Sequence, residues 1–199
     1  MKSPHLLCYD DMPAYGGHQV MTAYALEALA VEPGLRVTAA ISTANTRNRE
    51  RLGRISGLRL IDTPHTSGRF EGLRLRLQTA AVRRVADWLT AEGADAVLAI
   101  QGDIEGSAAV LLACARLKIP CISYIPIPHR LATMGAKLGA LRDPFNRYLF
   151  GLPSRWITIS TTLAELLRER GASAPIDIVQ NGIPLPGLPA PDDRASARG

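Results

Sequence analysis

Long apolar runs are missing from this sequence of 199 residues. No stretch reaches the roughly 20 residues that a bilayer-spanning helix needs. The N-terminus, Met1-Lys-Ser-Pro-His, meets Asp10 and Asp11 after only a few apolar residues, so neither a membrane span nor a signal peptide is expected. Cysteine is scarce: Cys8, Cys114 and Cys121 are odd in number, lie in apolar segments, and form no CxxC or Cys/His pair of zinc-site spacing. Reduced, buried thiols in a cytoplasmic protein are the expectation. His5, His18, His65 and His129 lack the i, i+4 pairing of a metal-binding helix, and no metal is expected. Neither GxGxxG nor a Walker A sequence occurs, which weighs against NAD-type and P-loop chemistry. Lysine is nearly absent, three against 20 arginines, and the net charge of +5 is unevenly placed.

What is present reads as one large domain. With 47% hydrophobic residues the chain can bury a substantial core, and its length is short for two domains. Apolar strands alternate with amphipathic helices throughout, the pattern of an α/β, doubly wound, mostly parallel sheet with helices on both faces. Strands are expected at His5–Asp10, Leu35–Ser42, Leu58–Asp62, Asp95–Ile100, Cys121–Ile125, from Arg155, and at Ile176–Val179. Helices are expected at His18–Val31, stopped by Pro33-Gly34, in one long segment Phe70–Glu92, at Gly106–Leu117, after Pro144, and over Ala164–Arg170, closed by Gly171. In the long segment Phe70, Leu73, Leu77, Ala81, Val85 and Trp88 recur at helical steps and should face the sheet. Residues 1–183 form the domain; residues 184–199, with four prolines, read as a linker or disordered tail.

In an open parallel sheet, ligands collect beyond the C-terminal ends of the strands. Three loops there carry candidate chemistry. After the first strand, Gly16 and Gly17 open a helix, where backbone amides can approach an anion closely; a plain tight turn is the alternative. After the fourth strand, Gln101-Gly-Asp103 presents a carboxylate that could orient or deprotonate a hydroxyl, or else cap the following helix. After the fifth strand, Ile125-Pro-Ile-Pro-His129 forces an extended turn that presents His129 and Arg130, the latter a candidate holder of an anionic acceptor. Ser160-Thr-Thr suits a helix cap with Glu165 reaching back, and Asn181-Gly182 suits a left-handed turn. Residues 36 to 84 hold eleven arginines against Glu50, Asp62 and Glu71. Such a patch attracts lipid headgroups, phosphorylated acceptors or nucleic acid, unless the arginines are simply solvated helix faces.

The final strand-helix-strand unit, Arg155-Trp-Ile-Thr-Ile-Ser through Ile176-Asp-Ile-Val-Gln-Asn-Gly, resembles the end of the N-terminal domain of family 4 glycosyltransferases, two-domain enzymes of GT-B fold. The Gly16-Gly17 loop is similar to that family's glycine loop. The resemblance implies a Rossmann-like, acceptor-binding half of a retaining hexosyltransferase that moves a sugar from a UDP- or GDP-sugar to an acceptor hydroxyl. It implies Gly16 and Gly17 near the donor phosphates, Gln101 and Arg130 on the acceptor, Asp103 and His129 as catalytic groups, and Asn181 and Gly182 at the hinge on the donor side. Many members have histidine near the position of Gln101, which moves weight to Asp103. The family's paired glutamates, seven residues apart in the second domain, have no counterpart here, so the donor-binding C-terminal domain is expected to be missing and the chain inactive alone. No cofactor is implied beyond the nucleotide sugar. The implied partners are a sugar or lipid-linked acceptor and an anionic membrane touched peripherally at the inner face, with no nucleic acid. A stand-alone Rossmann-like module that binds a phosphorylated small molecule or a partner protein, without catalysis, is the other expectation.

Overall fold

The computed structural model describes residues 3–182. The boundary read at residue 183 and the tail at 184–199 lie outside those residues. Seven strands form one sheet, all parallel, in the order β3-β2-β1-β4-β5-β6-β7. They are β1 (His5–Asp10), β2 (Arg36–Ile41), β3 (Arg59–Asp62), β4 (Ala96–Ile100), β5 (Cys121–Tyr124), β6 (Arg155–Thr158) and β7 (Ile176–Ile178). The strand order reverses between β1 and β4, where Leu7 pairs with both Thr38 and Val97. That reversal opens a crevice at the carboxyl ends of the two strands.

Helices cover both faces. Against one lie α1 (Gly17–Ala30) and α2 (Thr46–Leu52), which enclose Ala23, Leu26, Ile41 and Leu52. On the other, α4 (Thr79–Glu92), α5 (Ala108–Leu117) and α7 (Thr161–Glu169) build the larger core around Tyr9, Leu89, Leu111, Trp156 and Leu167. The three cysteines are buried and unpaired. His5 serves the fold: its Nε2 meets Thr38 Oγ1 at 2.9 Å and its Nδ1 the Gly93 carbonyl at 3.2 Å, and burial lowers its pKa.

The segment expected as one helix from Phe70 to Glu92 is two. α3 (Glu71–Leu77) ends at Gln78, whose φ of −118° and ψ of 83° leave the helical region before α4 begins. The expected apolar face is also rotated. α3 buries Glu71, Gly72 and Leu75 and exposes Leu73 and Leu77. The cause is the Glu71 carboxylate, which is satisfied inside the fold by His65 Nε2 at 2.6 Å and the Gly68 amide at 3.0 Å. Hydrophobic periodicity assigns glutamate to solvent and so misplaces the helix. The helix expected after Pro144 instead starts before it: α6 (Gly139–Asn146) contains Pro144, and the chain tightens into a 3-10 turn at Arg147–Gly151. Ser160 caps α7 by accepting from the Leu163 amide at 3.3 Å. Leu163 therefore holds the N3 position, and Glu165 lies two places too late for a capping box.

Candidate functional site

The mouth of β1 is built on buried carboxylates. Asp10 accepts from the Met12 amide, Gln19 Nε2 and Asn48 Nδ2, each at 3.1 Å. Burial nevertheless raises its pKa to about 7. Gln19 reaches back to accept from the Gly16 amide at 2.6 Å, closing the first turn of α1. Asn45 Nδ2 donates to the carbonyls of Met12 at 3.1 Å and Ala14 at 3.0 Å, so the loop before the two glycines is held at both ends. Gly17 is exposed, and a methyl group at its Cβ position would meet nothing within 4 Å.

A cleft of about 470 Å³ opens above these residues. Its walls include Gly17 and His18 from α1, Gly102 after β4, Ile127 after β5, and Asn181 and Gly182 after β7. The Tyr124 hydroxyl donates to Asn181 Oδ1 at 3.3 Å, tying the last segment to the mouth of β5. Four segments remote in sequence thus bring the glycine loop and the Asn181-Gly182 pair to one crevice; neither residue of that pair has a positive φ, so the left-handed turn expected there is not formed.

His18 is the residue that sequence reasoning passed over. Its Nε2 is buried without a hydrogen-bond partner among the described residues, and desolvation pulls its pKa down to about 4, so the ring is neutral near pH 7. Its position directly after Gly16-Gly17 was the available signal. Gly102 makes room for it: a Cβ there would come within 2.7 Å of His18 Cε1 and 2.9 Å of Met12 Cε.

The other sequence candidates sit differently. Gln101 is fully buried; its amide donates to the carbonyls of Ile104 at 3.2 Å and Gly106 at 2.7 Å, and its Oε1 accepts from the Ser123 hydroxyl. With both side-chain polar atoms committed to the loop and to β5, and the residue fully buried, Gln101 cannot touch an acceptor in this conformation, which corrects the contact role expected for it. Asp103 Oδ1 accepts from the amides of Glu105 at 2.8 Å and Gly106 at 3.1 Å, pinning the turn that precedes α5. Its pKa is raised by burial, against those two hydrogen bonds. Only Oδ2 is left for other chemistry. His129 is exposed and lies outside the walls of the cleft. Arg130 lines a separate cavity of about 380 Å³ between α6 and α7.

A second polar cluster locks the loop after β3. The Asp11 carboxylate accepts from the Ser67 hydroxyl and from the Ser107 amide at 2.9 Å, and burial raises its pKa to about 6. Glu71 is pushed up by burial, but bonds from His65 and the Gly68 amide outweigh this and leave its pKa lowered. Beside it Glu105 binds Arg142 Nη2 at 2.5 Å and Asn146 Nδ2 at 2.7 Å. Every carboxylate of this cluster has a structural partner.

A family model described as "Glycosyl transferase 4-like domain" matches residues 16–182. No curated protein matches the chain. Among solved structures, a UDP-glucosyltransferase from Polygonum tinctorium capable of glucosylating indoxyl is 12% identical with a TM-score of 0.60, over 98% of this chain and 56% of that one. A UDP-GlcNAc 2-epimerase from Neisseria meningitidis, bound to UDP-GlcNAc, is 14% identical with a TM-score of 0.59, over 87% and 45%. The calicheamicin glycosyltransferase CalG4 is 15% identical with a TM-score of 0.51, over 96% and 57%. At these identities the likeness is one of fold, and the chain spans about half the length of the structures it matches.

Proposed function

The chain belongs to the glycosyl transferase 4-like domain family, and from that premise we propose that it is the acceptor-side, N-terminal half of a retaining glycosyltransferase, which uses a UDP- or GDP-sugar and transfers the sugar to an acceptor hydroxyl. The observation that carries this reading is the cleft joining Gly17, His18 and Gly102 with Asn181 and Gly182 at the strand mouths beside the sheet's reversal point. Two solved proteins of similar fold, TcCGT1 in complex with UDP and the Neisseria meningitidis epimerase bound to UDP-GlcNAc, support a nucleotide-sugar donor here.

Each residue has an assigned task in this proposal. The exposed Gly17, at the positive end of α1, faces the donor phosphates, while the Gly16 amide is held by Gln19 and shapes the turn. His18, neutral and unpartnered at Nε2, accepts or donates a hydrogen bond to a sugar hydroxyl. Asp103 follows Gly102 of the cleft wall without lining the cleft itself; its free oxygen is given the acceptor hydroxyl where that group leaves the cleft, and a carboxyl whose pKa is raised is a better base for that proton than an ordinary one. Asn181 and Gly182 begin the crossing to the donor half. His129 and Arg130, outside the cleft, are left the outer part of the acceptor, a sugar or a lipid-linked sugar. Chemistry of this kind rests on positioning and on stabilising the departing diphosphate. A cytoplasmic location is proposed with it.

Two measurements test the reading. The purified chain, offered UDP- and GDP-sugars with a panel of alcohol acceptors, is expected to transfer nothing above a no-protein control; robust chain-dependent transfer overturns the half-enzyme reading. Saturation-transfer NMR with the same acceptors should show contact in the wild type and lose it in Gly17→Leu. That side chain has open space to occupy and would fill the cleft without disturbing the fold. Equal signals from both proteins would remove the cleft as the acceptor site.

A further inference from the structure

The cavity between α6 and α7 is separate from the cleft, for the two share no wall residue. Its volume of about 380 Å³ falls within the range of small-molecule sites, roughly 300 to 1,000 Å³. α6 supplies one side of it by turning polar residues inward, Asp143 among them, while Leu141 and Phe145 stay exposed on its outer side. Three arginines line the cavity, and they are not equivalent. Arg170 is spent on the fold: its Nη2 donates to Asp143 at 2.8 Å, its Nη1 to the Pro128 carbonyl at 3.2 Å, and its guanidinium lies over the Phe150 ring. Arg130 and Arg147 are exposed, and neither has a salt-bridge partner among the described residues.

The backbone holds one of these free arginines in place. Gly171, at a φ of 109°, closes α7, and a Cβ there would stand 3.7 Å from Arg147 Nε and 3.8 Å from its Cγ, so the Arg147 stem rests on that turn. Arg130 is near enough to Arg170 to be felt: burial lowers the pKa of Arg170 and Arg130 pushes it the same way, against the pull of Asp143. Two carboxylates share the cavity. Asp143 is already held by Arg170 and by the amides of Leu131 and Ala132, and Glu169 forms no salt bridge among the described residues. An anion that enters therefore meets two uncompensated guanidiniums, which suit phosphate oxygens through charge-assisted hydrogen bonds. Glu169 disfavours a second anionic group and accepts from hydroxyls, and Ala132, Ala140 and Leu166 offer apolar surface to a carbon body.

We infer that this cavity is a second ligand site, which takes a small soluble phosphate monoester whose body carries hydroxyls, a sugar phosphate in class. Arg130 and Arg147 hold the phosphate, and Glu169 takes a hydroxyl of the body. The site does not rest on the sugar-transfer reading of the cleft, whose failure would leave it standing. Arg130 is the one side chain the two assignments have in common.

Isothermal titration calorimetry of the full chain at constant ionic strength tests the assignment, with glucose 6-phosphate, inorganic phosphate and glucose as probes. The wild type is expected to bind glucose 6-phosphate saturably at one site, inorganic phosphate more weakly, and glucose not at all. Arg130→Gln with Arg147→Gln should weaken binding of glucose 6-phosphate about tenfold or more. Arg83→Gln, on α4 and away from the cavity, should bind as the wild type does. All three side chains are exposed, and circular dichroism confirms that the variants fold. The proposal is overturned if glucose 6-phosphate does not bind, if inorganic phosphate binds as tightly, or if Arg83→Gln costs as much binding as the cavity pair. It is overturned too if the soluble probes are ignored while vesicles containing phosphatidylglycerol capture the chain through Arg130 and Arg147, since the phosphate recognised would then be a lipid's.

Discussion

Asp10 shows how much a single residue's surroundings decide. Its carboxylate is nearly sealed from solvent at the centre of the strand mouths, and desolvation holds its proton on until about pH 7, whereas the unfolded chain releases it near 3.8. Between those values the folded state binds more protons, so Asp10 makes stability fall as pH rises through that window. Asp11, raised by burial to about 6, acts in the same direction, and His18, lowered to about 4, acts against both between 4 and 6.5. Asp10→Asn removes the first contribution; Asn48 Oδ1, buried and unpartnered, is placed to turn toward the new amide. Urea unfolding at about pH 4.5 and about pH 7.5 should show the variant gaining on the wild type with rising pH, by at most about 4 kcal/mol. A difference that stays constant with pH would refute the linkage. Of the site residues, Gly17, Asn181 and Gly182 were legible as glycine-bearing motifs at strand mouths, although none of them adopts the positive φ that such motifs allow. His18 and the commitments of Gln101 were not, since both depend on what Gly102 and Ser123 place against them.

At the scale of the element, α6 hinges on one glycine. A Cβ on Gly139 would fall on the backbone of Leu131 and Ala132, which no rotamer change can relieve. Gly139→Ala is expected to cost about 3 kcal/mol. It should therefore lower the melting temperature, whereas Gly17→Ala, with open space around its Cβ, should leave the melt nearly where it is. Equal melts for both would show that the close approach is not tight. The elements misjudged in sequence, α3 and α6, are those whose inner face is polar. Glu71 and Asn146 are buried and Arg142 half-buried because each meets a matched partner, His65 or Glu105, brought from another segment. Helical periodicity detects only burial driven by apolar surface. The strands, whose inner residues are mostly apolar, fell where the pattern put them, and α7 begins at Thr161, three residues before its expected start.

Across the whole molecule, one sheet carries two cores of unequal size, and both tryptophans belong to the larger: Trp156 lies within it and Trp88 packs against it, edge-on to Tyr9 with ring centroids 6.0 Å apart. Because the strands supply residues to both cores, the sheet is expected to unfold together with the larger one. Far-UV circular dichroism and tryptophan fluorescence should trace the same urea transition; separated midpoints would show that the halves of the sheet unfold independently. The sequence by itself determined the alternation of strands and helices, the parallel sheet and the glycine-bearing segments that flank the cleft. Each of those follows from local backbone preference and from apolar residues recurring at fixed steps. Only the tertiary structure decided which histidine lines the cleft, which carboxylates are spent on holding loops, and that α6 turns its apolar side outward. Those outcomes depend on desolvation and on hydrogen-bond partners contributed by distant segments, which meet only once the chain is folded.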